Sequence, residues 1–93
     1  MCKSDIYQNI LRLTVEETET SAERITGMYT DMESTDARFI VATLLYDCGF
    51  YPSQIAVWLN RNPRTIRALL ARGFTSPIVG IMLEKIRKRM GID

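Results

Sequence analysis

The chain is 93 residues long and 46% apolar, enough for one domain (1–93) with a buried core and not the composition of a disordered polymer. It contains no histidine, so imidazole acid–base chemistry and histidine metal ligation are excluded. Its two cysteines, Cys2 and Cys48, are too few and too far apart for a disulfide framework or a zinc cage.

No metal, cofactor or small-molecule substrate is therefore expected. The simplest setting is reduced and cytoplasmic. The opening MCKSDIYQNILRL has no long apolar run, so neither a signal peptide nor a membrane span is expected there. Net charge is +1, but it is unevenly spread. Residues 1–46 carry four basic and eight acidic side chains, a net −4, and residues 47–93 carry eight and three, a net +5. A basic half opposite an acidic one favours a nucleic-acid partner approached from one side.

Ser4 can cap a first helix from about 5 to about 17, with Asp5 in its first turn and Ile6, Tyr7, Ile10 and Leu13 turned inward. Thr18 to Thr20 break that period. Ser21 opens a short second helix with Ala22 and Ile25 facing the core, and Gly27 ends it. Residues 28–33 read as a loop of mixed polarity. Ser34 or Thr35 caps a third helix over 36–48, apolar nearly all round and therefore central and buried. Gly49 stops it.

Residues 52–72, PSQIAVWLNRNPRTIRALLAR, read as a helix-turn-helix. Pro52 takes the first position of the leading helix, and Ile55, Ala56 and Leu59 recur at helical spacing. Asn60 can adopt the left-handed conformation that ends a helix, and Asn62 can cap the next, with Pro63 after it. Ile66, Leu69 and Leu70 return to the core, and Trp58 is expected to pack there against the last helix. Gly73 stops the second helix, and Phe74 is expected to pack back on it. Ser76-Pro77 opens a final helix to about 90, with Val79, Met82, Leu83, Ile86 and Met90 inward. Lys85, Arg87, Lys88 and Arg89 crowd its end, where basic groups offset the helix dipole.

With those apolar positions turned inward, Arg64, Arg67, Ala68 and Ala71 form one outward stripe at i, i+3, i+4 and i+7. Alanines allow close approach to a major groove and can touch thymine methyls, while arginines reach guanine edges or phosphates. Arg61 and Arg72 stand ready to hold phosphates. Ser53 and Gln54 lie at the start of the leading helix, where free N–H groups can grip one.

The chain resembles the C-terminal DNA-binding domain of the bacterial chromosomal replication initiator DnaA, a fold grouped with the Trp repressor. The resemblance rests on Ser21-Ala22-Glu23-Arg24, on Asp36-Ala37-Arg38 before FIVATLL, and on SQIAVWL before NRNPRTI. It implies an all-α bundle of five to six helices crossing orthogonally, with the helix-turn-helix inside. It also implies DNA contacts at Arg61, Asn62, Arg64 and Thr65, at Arg38 near the backbone, and at Ser53 and Gln54. The chain departs from the family in three places. The turn is one residue shorter, Arg61-Asn62-Pro63-Arg64-Thr65 replaces the family's Arg-Asp-His-Thr-Thr, and the loop 27–33 is acidic where the family's is arginine-rich. There is no Walker A sequence.

The expected function is binding of double-stranded DNA in transcription or replication. The alternative is a protein-interaction module that kept the fold and lost DNA, favoured by the acidic loop and low net charge. An enzyme is not expected, because no paired nucleophile and base and no glycine-rich phosphate loop are present. A homodimer is compatible with Trp-repressor-like folds, and the first helix carries enough apolar surface for one.

Overall fold

The computed structural model describes residues 2–73 and 76–91. Six helices run in order: α1 (Lys3–Thr18), α2 (Ala22–Thr26), α3 (Met32–Asp47), α4 (Pro52–Leu59), α5 (Pro63–Arg72) and α6 (Pro77–Met90). There is no strand among the described residues. The protein is all-α.

α3 is the hub and packs against all five other helices. Ala37, Phe39, Ile40, Val41, Ala42, Leu44 and Leu45 are all buried, so nearly every side of the helix meets a neighbour. Such a helix needs partners all round, because each exposed apolar side would forgo its burial energy. α1 supplies Tyr7, Ile10, Leu11 and Leu13, and α6 supplies Val79, Leu83 and Ile86. Those α1 residues are consumed in the protein's own core, so α1 does not present the apolar face expected for a homodimer.

Several boundaries differ from expectation. α1 starts at Lys3 after Cys2, which makes no side-chain cap, so Ser4 lies inside the helix. α3 begins at Met32, and its cap is Asp31 rather than Ser34 or Thr35. The Asp31 carboxylate accepts from the Ser34 N–H at 3.1 Å and the Ser34 hydroxyl at 2.9 Å, which draws Ser34 into the buried first turn. Asp31, Ser34 and Thr35 are all competent caps, so local signals do not choose where the helix starts. Ala22 faces solvent, and only Ile25 of α2 is buried. Trp58 stacks on Tyr7 of α1, with ring centroids 4.6 Å apart and planes 23° from parallel. Its partner is thus the first helix, not the last. Phe74 lies outside the described residues.

The α4–α5 pair follows its local signals. Pro52 opens α4, and Asn60 ends it with φ 56° and ψ 47°. The Asn62 side chain accepts from the Arg64 N–H at 2.8 Å and caps α5 ahead of Pro63. Ile55, Ala56, Leu59, Ile66 and Leu69 join one core. Gly73 closes α5 at φ 73°.

The left-handed backbone at Asn60 is a testable constraint. Asn60→Val should lower the unfolding free energy by ~1–2 kcal/mol, because a branched side chain resists that conformation. Asn60→Gly should hold it or raise it. Urea denaturation of the three proteins checks both, and equal midpoints would mean the turn does not depend on that conformation.

Candidate nucleic-acid interface

α5 exposes two rows of side chains. Arg64, Arg67 and Ala71 form one, and Thr65, Ala68 and Arg72 form the other, each at i, i+3 and i+7. The second row borders a cleft whose opposite wall is Thr35 and Arg38 of α3, with Arg61 from the turn at one end. Ala68 therefore sits on the cleft side of α5, next to Thr65, and not squarely within the Arg64–Arg67 stripe.

Arg64, Arg67 and Arg72 make no ion pair with any described carboxylate. The ion pairs lie elsewhere. Arg87 holds Asp47 at 2.6 Å and Glu84 at 2.9 Å, and Arg89 holds Glu16 at 2.7 Å and Glu17 at 3.3 Å. Arg12 pairs with Glu16 and Arg24 with Asp31. The acidic first half is thus partly spent on α6 and on itself, and Arg87 and Arg89 are spent with it. Hydrogen bonds from Arg89 and then Arg12 hold the Glu16 carboxyl below its ordinary range.

Arg38 is placed differently from expectation. Its side chain is 5% exposed. Nε donates to the Ile25 carbonyl at 2.7 Å, and Nη2 donates to the carbonyls of Arg24 at 3.1 Å and Tyr29 at 2.9 Å. These are carbonyls at and beyond the end of α2, which a five-residue helix cannot satisfy for itself. Arg38 is a clamp on α2, and a role at a DNA backbone is not available to most of its guanidinium. Burial first, and then the Arg61 charge, push its pKa below the ordinary arginine value.

Arg61 is also partly committed. It donates from Nη1 to the carbonyls of Leu59 and Asn60 and from Nη2 to that of Gly27. Together Arg38 and Arg61 stitch the segment from Arg24 to Tyr29 onto α3 and onto the α4–α5 turn. Gln54 uses its side-chain oxygen to accept from the Tyr51 N–H at 2.9 Å, closing the start of α4 instead of pointing outward. Ser53 remains exposed there, as does Asn62, whose oxygen is occupied as a cap.

Thr35 escaped the reading of the sequence as a site residue. Its spacing of three from Arg38 put both on one face of α3, but the face they shared depended on where α5 docks. No group of three or more cysteine, aspartate and glutamate side chains that could hold a metal stands together among the described residues. No single helix among them is long and apolar enough to cross a membrane. No family model, curated protein or solved structure matches the chain.

Two measurements test these placements. Arg38→Met removes the donors to three carbonyls and should cost on the order of 2–4 kcal/mol of stability, whereas Arg64→Gln should stay within about 0.5 kcal/mol. Comparable denaturation midpoints for the two variants would reject the clamp.

The second concerns acid. Hydrogen bonds from Ser34, first its N–H and then its hydroxyl, hold Asp31 below its ordinary pKa. A carboxyl depressed in the folded state stabilises it above the unfolded pKa, and that contribution disappears as pH falls through the folded pKa. Asp31→Asn should therefore melt lower than the parent at neutral pH, with the gap closing toward acid. Calorimetry across that range checks this, and a gap independent of pH would assign the effect to packing.

Proposed function

We propose that the protein binds duplex DNA, with α4 and α5 acting as a helix-turn-helix and α5 as the helix in the major groove. The observation that carries the reading is the exposed, unpaired row of Arg64 and Arg67 beside Ala71 on a short helix capped by Asn62 and ended at Gly73. Two arginines at that spacing can reach base edges or phosphates, and the small alanine lets the helix approach. Arg72, and the unbonded part of Arg61, add positive charge at the flanks. The resemblance of SQIAVWL and NRNPRTI to the helix-turn-helix of the DnaA DNA-binding domain supports the same reading, as does the pairing of Glu16, Glu17, Asp47 and Glu84 with arginines of α1 and α6 and not of α5.

A second reading, a protein-interaction module, has one observation in its favour. Met28 is 83% exposed and Val57 79%, and they line a shallow cleft with Ala56 and Pro63 beside the turn. Apolar groups standing that far into solvent suit a protein partner.

Fluorescence anisotropy on random duplex decides between the readings. Binding should weaken steeply with rising salt as counterions are released. Arg64→Ala with Arg67→Ala should reduce the slope of log K against log salt by about two if both touch phosphates. On a selected site, loss of a base-reading arginine should instead cost ~1–3 kcal/mol at one base pair. No binding at any salt concentration would leave the interaction module standing.

A further inference from the structure

The cleft between α3 and α5 has a volume of about 250 Å³, and its lining has an unusual composition. Arg38, Arg61 and Arg72 border it together with the hydroxyl-bearing Thr35 and Thr65, and no carboxylate takes part. Asp36 stands in the adjoining cleft on the other side of Arg72. It feels the Arg72 charge, which acts against the burial that raises its own pKa, but forms no ion pair with it.

The second observation is atomic. Arg38 is 5% exposed, and its Nε and Nη2 are fully engaged with carbonyls. Its Nη1, with two N–H donors, has no acceptor among the described residues. The one sealed side-chain polar atom without a partner among them is Thr43 Oγ1, so Arg38 Nη1 is not sealed from solvent, and Arg38 lines the cleft. A buried guanidinium clamped on one side and offering two donors on the other is pre-organised for an oxyanion. The neighbouring positive charge of Arg61 disfavours the cluster when it is empty, and an anion would reverse the sign of that interaction.

We propose that this cleft is a seat for a single phosphate group, held by Arg38 Nη1 and Arg72, with the Thr35 and Thr65 hydroxyls completing the contacts. The seat is bordered by Thr65, Ala68 and Arg72 and not by Arg64 or Arg67, and it stands whether or not the Arg64–Arg67 row reads bases. The phosphate can belong to a duplex backbone running past α5 or to a small phosphorylated ligand, since both offer the same oxygens.

Titration of the full chain with inorganic phosphate at constant ionic strength, followed by amide and arginine Nε–H NMR, tests the seat without DNA. Saturable shifts at Thr35, Arg38, Thr65 and Arg72, absent with chloride, are expected. Thr65→Val combined with Arg72→Gln alters two exposed positions and spares the Arg38 clamp. It should weaken phosphate binding at least about tenfold. Shifts that never saturate, or that survive unchanged in the double variant, would overturn the proposal.

Adding a short duplex to the phosphate-saturated protein then identifies the source. Release of phosphate on duplex binding assigns the seat to a backbone phosphate. Retention of phosphate, or failure of the duplex to bind at all, assigns it to a small ligand and leaves the seat intact.

Discussion

The buried guanidinium of Arg38 is the contact on which the arrangement of this protein turns. α2 is five residues long, too short to stand as a helix alone, and its last carbonyls have no helical partner. Arg38 satisfies those of Arg24 and Ile25 from α3, and Arg61 reaches the Gly27 carbonyl from the α4–α5 turn. A single stretch of backbone, from Arg24 to Tyr29, thereby fixes the turn relative to α3. Because a buried guanidinium is costly without hydrogen-bond partners, losing the three carbonyls held by Nε and Nη2 would be unfavourable, and the clamp resists rearrangement. It also leaves Nη1 without an acceptor among the described residues, on a residue that lines the cleft beside α5.

The same economy governs the charges. In sequence the acidic first half and basic second half invite wholesale pairing. In three dimensions the pairing is selective. Arg89 crosses to Glu16 and Glu17, tying the end of α6 to the end of α1, and Arg87 reaches Asp47 at the end of α3. These partly exposed pairs contribute little stability individually. Their effect is on the electrostatic pattern, because they occupy carboxylates of α1, α3 and α6, while Arg64 and Arg67 of α5 carry no ion pair. Of the α6 basic cluster, equally prominent in the sequence, Arg87 and Arg89 are the members paired with carboxylates.

Much of the fold was legible residue by residue. Asn60, Asn62, Pro63 and Gly73 each carry a backbone preference strong enough to act locally, and α4 and α5 begin and end where those preferences say. The uninterrupted apolar run of α3 announced the hub. The start of α3 was not legible, since Asp31, Ser34 and Thr35 are all competent caps and local energies do not choose among them. Burial of Ser34 against Arg24 and Asp31 did. Trp58 was legible as a packing residue, but its stacking on Tyr7 depended on α1 crossing α4, a contact 51 positions apart in the chain.

The sequence by itself determined the helical character, the α4–α5 turn and the outward placing of Arg64 and Arg67, because helical period and capping are short-range effects written within a few residues of where they act. It could not decide what each arginine does. Arg38, Arg61, Arg64 and Arg72 are chemically alike, and any of them could face solvent or carbonyls. Only the tertiary structure, by placing the unsatisfied end of α2 over α3, turned Arg38 inward and left Arg64 and Arg72 outside, since the energy of a guanidinium depends on which groups surround it after packing and not on its neighbours along the chain.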